Sequence, residues 1–462
     1  MTNKAIIYSI FLLIILKITA INITDLGLYG DEAQYWLWSQ TLDFGYYSKP
    51  PLLAWFLRGH TDVFGSSFVS LKVFPILVYF FILYAIFKLC RSLSINKKNS
   101  WFCAFSFIII PAASLSSFLI STDLLLLLFW TASMIVLLRV IKRNSNYNFL
   151  LLGLCLGLAF LAKYAAVYFL LNLLLLLAID KRTLSAFKNN FFGVLIFLSS
   201  FLLVLSPNIL WNFNNGWITI SHTSDNANLQ NLNLSIYEPL KFLIAQIIMV
   251  GPFLFLSFVF FLKHFRLDFE NKFLLVFSIP VLLIILTESF LVRANANWAA
   301  PALISIFILF FRLINYKNPH FLKINFVFNY FIAVCLFVSV LISLDNKAFN
   351  RVKGVSIFVK EINKVISDKD IVITDRIIFS NIAYEMRNQQ NKVLMPHNNN
   401  SPITNHFQMS SSLKLDRKES FFLVGGLNDI SYLLKEHEGK LIKKFSVSFN
   451  SSPLELYEVV FK

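Results

Sequence analysis

"GDEAQYWLWSQTLDFGYYSKPPLLAWFLRG" occupies residues 30–59, directly after the first long apolar run of the chain. It carries an adjacent acid pair, Asp31–Glu32, and a lysine before two prolines, Lys49–Pro50–Pro51, with Trp and Tyr filling the space between. Read as local structure, residues 31–43 predict a helix lying in a membrane interface, with Tyr35, Trp36 and Trp38 at headgroup level. Pro50 and Pro51 predict the start of a second such helix over 50–59, because proline suits a first helical turn. Lys49 then stands just before a helix N-terminus, where a cation and unpaired backbone N–H groups together make an anion site.

The rest of the chain supplies the membrane. Of 462 residues, 57% are hydrophobic and only 14% charged, with 51 Phe and a mean hydropathy of +0.67. A soluble domain carries about 25% charged residues, so this is an α-helical polytopic membrane protein. The net charge of +16 lies mostly in short loops between apolar runs. There it sets orientation and does not point to nucleic acid. Cys90, Cys103, Cys155 and Cys335 lie in or beside apolar runs with no CxxC, and read as packing residues. The first run, Ile6 to Ile23, exceeds a signal h-region of about 7–15 residues and shows no small-residue cleavage site. It is expected to be a retained span.

Apolar runs near 5–24, 68–90, 101–119, 124–140, 148–162, 165–179, 191–210, 242–262, 272–289, 298–314 and 325–343 predict about eleven spans. Two long stretches read as hairpins, interrupted at Ser121–Thr122–Asp123 and at Lys163–Tyr164. Alternate loops differ in cation content. Arg91, Lys97 and Lys98, then Arg139, Lys142 and Arg143, then Lys181, Arg182 and Lys188 belong to the rich set. That set is expected to be cytoplasmic. The stretch 25–67, the Asp123 turn and the loop 211–241 then share the outer side. An odd span count leaves the C-terminus outside as well.

From about Leu344 the composition becomes that of a soluble domain. The expected division is a membrane domain, 1–343, and a small α/β domain, 344–462. Residues 370–375, 392–396 and 421–426 predict strands, 355–367 and 428–442 predict amphipathic helices, and 397–405 predicts a loop. There is no internal repeat.

Charged residues in apolar settings mark the candidate site. Asp123 lies in "LISTDLLLLLFW" and Lys163 in "FLAKYAAV", where ionisable groups are costly and more often functional. Both are expected on the side of Asp31 and Lys49, which suggests a reaction on a phosphate-bearing substrate near the outer surface. Arg293, at an outer span end in "FLVRANANW", reads either as a phosphate contact or as an interface anchor. His222, in "WITISHTSDNAN", reads as a surface histidine or a substrate contact. Lys17 reads as a snorkelling lysine with no role, and Glu288 as an intramembrane acid without a named partner.

With these residues in place, the stretch 30–56 resembles the first extracytoplasmic loop of the GT-C glycosyltransferases. More narrowly it resembles the bacterial branch of the protein O-mannosyltransferase-like superfamily. That branch includes the lipid A aminoarabinose transferases and the rhizobial lipopolysaccharide galacturonosyltransferases. The resemblance extends through "STDLLLLLFW", "GLCLGLAFLAKYAAV", "SPNILWNFNNGWITISHTSDNAN", "NWAAPA" and, in the tail, "TDRIIFSNIAYEM". It implies a GT-C-like fold in a bacterial inner membrane, with the active site facing the periplasm. It implies a sugar donor on a polyprenyl phosphate, usually undecaprenyl phosphate. The sugar passes with inversion to lipid A, lipopolysaccharide or another envelope glycan. By resemblance, Asp31 is the general base and Asp123 a second acid near it. Glu32, Lys49, Lys163, His222 and Arg293 serve substrate binding, Lys49 at the donor phosphate. Two departures stand out. The aminoarabinose branch has arginine where this chain has Gln34, and a metal-binding glutamate where it has Ser48. The residues therefore do not commit to a divalent metal or to aminoarabinose as the sugar.

The chemistry stands without the resemblance. A sugar phosphate carries its own leaving group once cations stabilise the charge. The acceptor hydroxyl then needs only a base within reach, which agrees with the lack of a nucleotide-binding glycine motif. A transporter of lipid-linked sugars is the competing reading, but it calls for paired halves. A protein O-mannosyltransferase is a third, differing only in acceptor.

Overall fold

The computed structural model describes residues 3–227, 232, 234–366, 369–390, 392–398, 401–413, 419–434 and 436–462. Parts of the expected outer loop 211–241 and tail loop 397–405, with Ser367 and Lys435 of the expected tail helices, lie outside the described residues. The chain opens with α1 (Asn3–Ile23), α2 (Gly30–Gln40), α3 (Leu52–Phe64) and α4 (Phe68–Ser92). Helices α5 (Lys97–Ile108), α6 (Pro111–Ser116), α7 (Thr122–Lys142) and α8 (Asn146–Ala162) come next. Then come α9 (Val167–Ile179), α10 (Lys181–Lys188), α11 (Phe191–Asn214) and α12 (Ile218–Ala227). Helices α13 (Tyr237–Val250), α14 (Pro252–Phe261), α15 (Phe269–Val276), α16 (Ile279–Leu291), α17 (Ala300–Lys317) and α18 (Pro319–Leu341) complete the apolar part.

Every expected span has a helix, but helix length and composition do not confirm the count of eleven. Among the described residues, seven helices are long and apolar enough to cross a membrane, and two bent pairs raise this to at most nine. The bends are 104° between α9 and α10 and 95° between α13 and α14. The remaining two expected spans are short: α8 is a 17-residue helix, and Pro111 starts a new helix in what sequence reads as one run, 101–119. Proline cannot donate to the preceding turn, so the run breaks there.

Packing in this region relies on small residues where helices approach. Gly153 and Gly157 of α8 present a small-x-x-x-small face to α11. A Cβ on Gly153 would lie 1.9 Å from Ser200 Oγ and 2.5 Å from the Phe197 carbonyl oxygen. Both sequence interruptions are real turns. Ser121 is the extended residue before α7. Lys163 is extended (φ −162°, ψ 133°) at the end of α8.

The tail adds α19 (Lys347–Asn350), α20 (Val355–Asn363), β1 (Ile371–Ile373), α21 (Arg376–Glu385), β2 (Val393–Leu394), α22 (His406–Ser410), β3 (Phe421–Val424), β4 (His437–Phe445) and β5 (Leu454–Phe461). The sheet order is β2-β1-β3-β5-β4. β1 pairs in parallel with β2 and β3, and β5 pairs antiparallel with β3 and β4. Ile371–Ile373 and Phe421–Val424 are buried throughout, as strands covered on both faces must be. The three expected strands are present. The expected helix over 428–442 is not: its first residues form a 3₁₀ turn, Leu427–Ile430, the described residues after it up to Glu436 are turns, and 437–442 join β4. Ile430, Leu433 and Leu434 have helical spacing, but Gly439 weakens a helix and the β5 partner offers a full ladder, so pairing overrides local pattern.

The tail domain closes over α2. Trp36 meets Tyr384 edge-on at 5.1 Å, and Trp38 lies between Tyr46, stacked at 4.7 Å, and His406, edge-on at 5.5 Å. The Tyr384 hydroxyl donates to the Ser66 carbonyl (3.0 Å). The expectation that Tyr35, Trp36 and Trp38 face lipid headgroups is corrected: all three are buried. A surface that is half apolar and half wet can be covered by protein as well as by lipid.

Candidate active site

Helix α2 sorts the acid pair. Successive residues on a helix point about 100° apart, so Asp31 and Glu32 cannot share an environment. Glu32 turns inward and is 2% exposed, against a fully buried Lys72. The Lys72 ammonium donates to both carboxylate oxygens (2.8 and 2.6 Å). The Tyr29 and Ile120 N–H groups donate to them as well (2.9 Å each). These four contacts occupy the carboxylate's lone pairs. Glu32 therefore ties α2 to α4 and to the turn before α7, and does not face the candidate site.

Asp31 points the other way. Its side chain is 65% exposed, and Arg376 at the start of α21 reaches it (Nη1 to Oδ1, 3.3 Å). The same Nη1 donates to Gln34 Oε1. Gln34 is the position where the aminoarabinose branch has arginine, so in this chain a guanidinium comes to that spot from the tail. Arg376 does not stand out in the sequence. Its only signal is the quoted tail segment, where an arginine beside the capping Asp375 opens a mostly apolar helix.

The turn before α7 and the end of α8 meet through a second ion pair. Lys163 Nζ donates to Asp123 Oδ1 (2.7 Å), and Asn297 Nδ2 donates to Asp123 Oδ2 (3.1 Å). Both groups are mostly buried, with side chains 15% and 11% exposed. Asp123 is thus engaged at both oxygens, whereas Asp31 has one weak contact.

A cavity of about 810 Å³ lies beside these groups, lined by Lys49, Lys163 and Arg293 together with Tyr164, Asn208, Asn212, Glu288, Trp298 and apolar residues such as Phe160, Leu205 and Ile285. Its size suits a ligand of several rings or a sugar phosphate. Lys49 follows the turn closed by its own carbonyl, which accepts from Tyr46 N–H (3.1 Å), and it precedes α3 as expected. Burial, and then the charge of Lys163, push its pKa below the usual lysine value, while Asp123 and Asp31 pull it back in part. An ammonium held this way favours an incoming anion. Arg293 is exposed and makes no ion pair among the described residues. His222 stacks edge-on with Tyr47 (4.9 Å) and contacts Asn226 (3.0 Å). Burial, then Lys49 and Arg376, hold its pKa below 6.5, so it is a neutral partner of the site at pH 7. The structure therefore brings Asp31, Lys49, Asp123, Lys163, His222 and Arg293 to one region and turns Glu32 away.

Among the described residues no group of three or more His, Cys, Asp or Glu could hold a metal ion. Ser48 offers no carboxylate beside Lys49, and the nearby acids Asp123 and Asp31 are paired with Lys163 and Arg376, a set that does not fit a divalent metal.

The chain is similar to several known proteins. The dolichyl-phosphate-mannose-protein mannosyltransferase family matches residues 48–211. The chain is 31% identical over 317 residues to "Lipid A galacturonosyltransferase RgtD" of Rhizobium johnstonii, a match spanning 68% of this chain and 66% of that relative. Its fold is that of ArnT from Cupriavidus metallidurans, solved bound to undecaprenyl phosphate. The TM-score is 0.72 at 9% identity, covering 99% of this chain and 98% of that one. The apo state of the same protein gives 0.69 at 10% identity, covering 98% of each chain. The membrane helices, the tail domain closing over α2 and these matches agree: the chain belongs to the GT-C glycosyltransferase superfamily.

Proposed function

We propose that the protein transfers a sugar from a polyprenyl-phosphate donor to an acceptor of the lipid A type at the outer face of a bacterial inner membrane. The observation that carries this reading is the pairing of a cation-lined cavity, Lys49, Lys163 and Arg293, with one largely free carboxylate, Asp31. The donor phosphate sits at Lys49 and Arg293, and the prenyl chain lies along the apolar wall of Phe160, Leu205 and Ile285. The undecaprenyl phosphate of the ArnT structure and the lipid A substrate in the relative's name support the two substrate classes.

The reaction is a single displacement. The acceptor oxygen forms a bond to the anomeric carbon from the face opposite the phosphate. The bond from that carbon to the phosphate oxygen breaks, and its electron pair stays on the phosphate. The proton of the acceptor hydroxyl goes to Asp31. One displacement inverts the anomeric carbon. Lys49 and Arg293 stabilise charge that grows on the phosphate as the bond breaks. Asp123 keeps Lys163 and the Asn297 segment in place, and His222 completes the wall near Lys49.

Asp31→Asn preserves shape and removes the base. Single-turnover transfer from a polyprenyl-phosphate sugar should fall about 10²–10⁴-fold, with donor binding retained. Transfer within threefold of the unaltered protein would sink the assignment of Asp31. The family match over 48–211 favours a second acceptor class, a protein hydroxyl; a serine-rich peptide offered with the same donor tests it.

A further inference from the structure

Arg376 has no use in the reaction just derived, and its placement is unusual. It is the first residue of α21, at the positive end of the helix dipole, where a cation is disfavoured. Asp375 caps the same helix, accepting from the Ile377 and Ile378 N–H groups (2.8 Å each), so the helix does not need Arg376. Its contact with Asp31, 3.3 Å between half-exposed groups, adds little stability because water screens it. Yet the backbone is built to bring it there. A Cβ on Gly30 would lie 2.3 Å from Ile377 Cγ2, so only glycine lets α2 and α21 approach this closely.

Two features assign it a direction. The cavity that holds the donor cations is lined by neither Asp31 nor Arg376. Arg376 instead touches Asp31, the carboxylate that an acceptor hydroxyl must reach in the proposed reaction. Among the described residues, moreover, only Nη1 of its guanidinium has partners. Nη2 and Nε remain as a planar pair of donors, the geometry that grips an oxyanion at two points.

We propose that Arg376 is a substrate-binding residue contributed by the tail domain, gripping a phosphate or carboxylate of the acceptor glycolipid and so presenting its hydroxyl to Asp31. The acceptor side follows from the assignment of Asp31 as base; the anion grip itself can be measured without turnover. Full-length protein in detergent is tested for binding to three lipids: lipid A with its phosphates, the same lipid stripped of phosphate, and the stripped lipid carrying a sugar acid. Wild-type protein should bind one anionic form about tenfold or more tighter than the neutral one. Arg376→Ala should lose that preference while its affinity for a polyprenyl-phosphate sugar stays within twofold. Arg376→Lys should keep part of the preference, since it retains the charge and loses the fork. An unchanged preference in Arg376→Ala, no preference in the wild type, or loss of donor affinity instead would overturn the proposal. Absence of transfer by the wild-type protein in parallel single-turnover assays would count against the proposed reaction and leave the binding result to judge Arg376.

Discussion

Removing Glu32 should unfold more than the site it borders. Its carboxylate and the Lys72 ammonium are 2% and 0% exposed, so neither charge has water to fall back on. Glu32→Gln keeps one of the two oxygens that accept from the Tyr29 and Ile120 N–H groups, turns the other into an amide NH2, and leaves Lys72 buried without a counter-charge. Breaking one side of a buried pair costs about 3–5 kcal/mol. At this chain length each kcal/mol moves the melting temperature by roughly 1–2 °C, extending the size trend of smaller domains. A fall of about 5 °C is expected for Glu32→Gln, and a similar one for Lys72→Met, which strands the carboxylate instead. The double variant removes both charges and keeps one of the two hydrogen-bond acceptors, so it should melt above the sum of the single losses. The assay is thermal unfolding of the detergent-purified full-length protein in all four forms. If the double variant melts at the sum of the single losses, the pair is not coupled and the reasoning fails.

Other outcomes rest on the same geometry. Asp123→Asn strands Lys163 in a mostly buried setting and should lower the melting temperature, whereas Asp31→Asn, at an exposed carboxylate, should not; equal shifts would contradict their different environments. Lys49 has a folded-state pKa below that of an ordinary lysine, so the unfolded chain binds more protons in the window between the two values, and this group's contribution to stability rises with pH there. Lys49→Met should therefore melt slightly higher than wild type at pH 7 while losing about tenfold or more in donor affinity, and a lower melting temperature would refute the burial argument. Donor phosphate favours the charged lysine, so donor affinity in the wild type should drop as pH rises through the depressed pKa, beginning below pH 10.5, and Lys49→Met should lack that drop. Gly30→Ala should push α21 off α2 and weaken transfer, and adding Ile377→Ala should restore it; no restoration would mean that Ile377 is not the obstacle.

The parts legible in the sequence were those where composition forbids the residue. Asp123 and Lys163 stand out because each sits in an apolar run, and Lys49 because two prolines set a helix start directly after it. Arg376 has no such contrast: arginine at a helix start in a polar tail looks like any solvated residue, and its partner is 345 positions away. The acid pair Asp31–Glu32 was legible as a feature but not as two roles, because only the tertiary position of Lys72 decides which carboxylate turns inward. The aromatic residues of α2 announce a surface that must be covered, without saying by what. β4 was missed since three apolar residues at helical spacing precede it, and the strand exists only through its pairing with β5.

The closure of the tail domain over α2 also sets an order of events in biogenesis. Arg376, Tyr384 and His406 lie against Asp31, Trp36 and Trp38, and they leave the ribosome long after those residues have been inserted. At about 5–20 residues per second, the 345 positions between Asp31 and Arg376 correspond to on the order of 17–70 s. During that interval the helices and their cations exist with an unroofed α2, whose tryptophans are open to lipid or to chaperones. A chain arrested after α18 would keep the cation-lined cavity and lack the roof. Docking of the tail over α2, and not insertion of the last helix, is then the moment at which a new molecule gains the proposed acceptor contact.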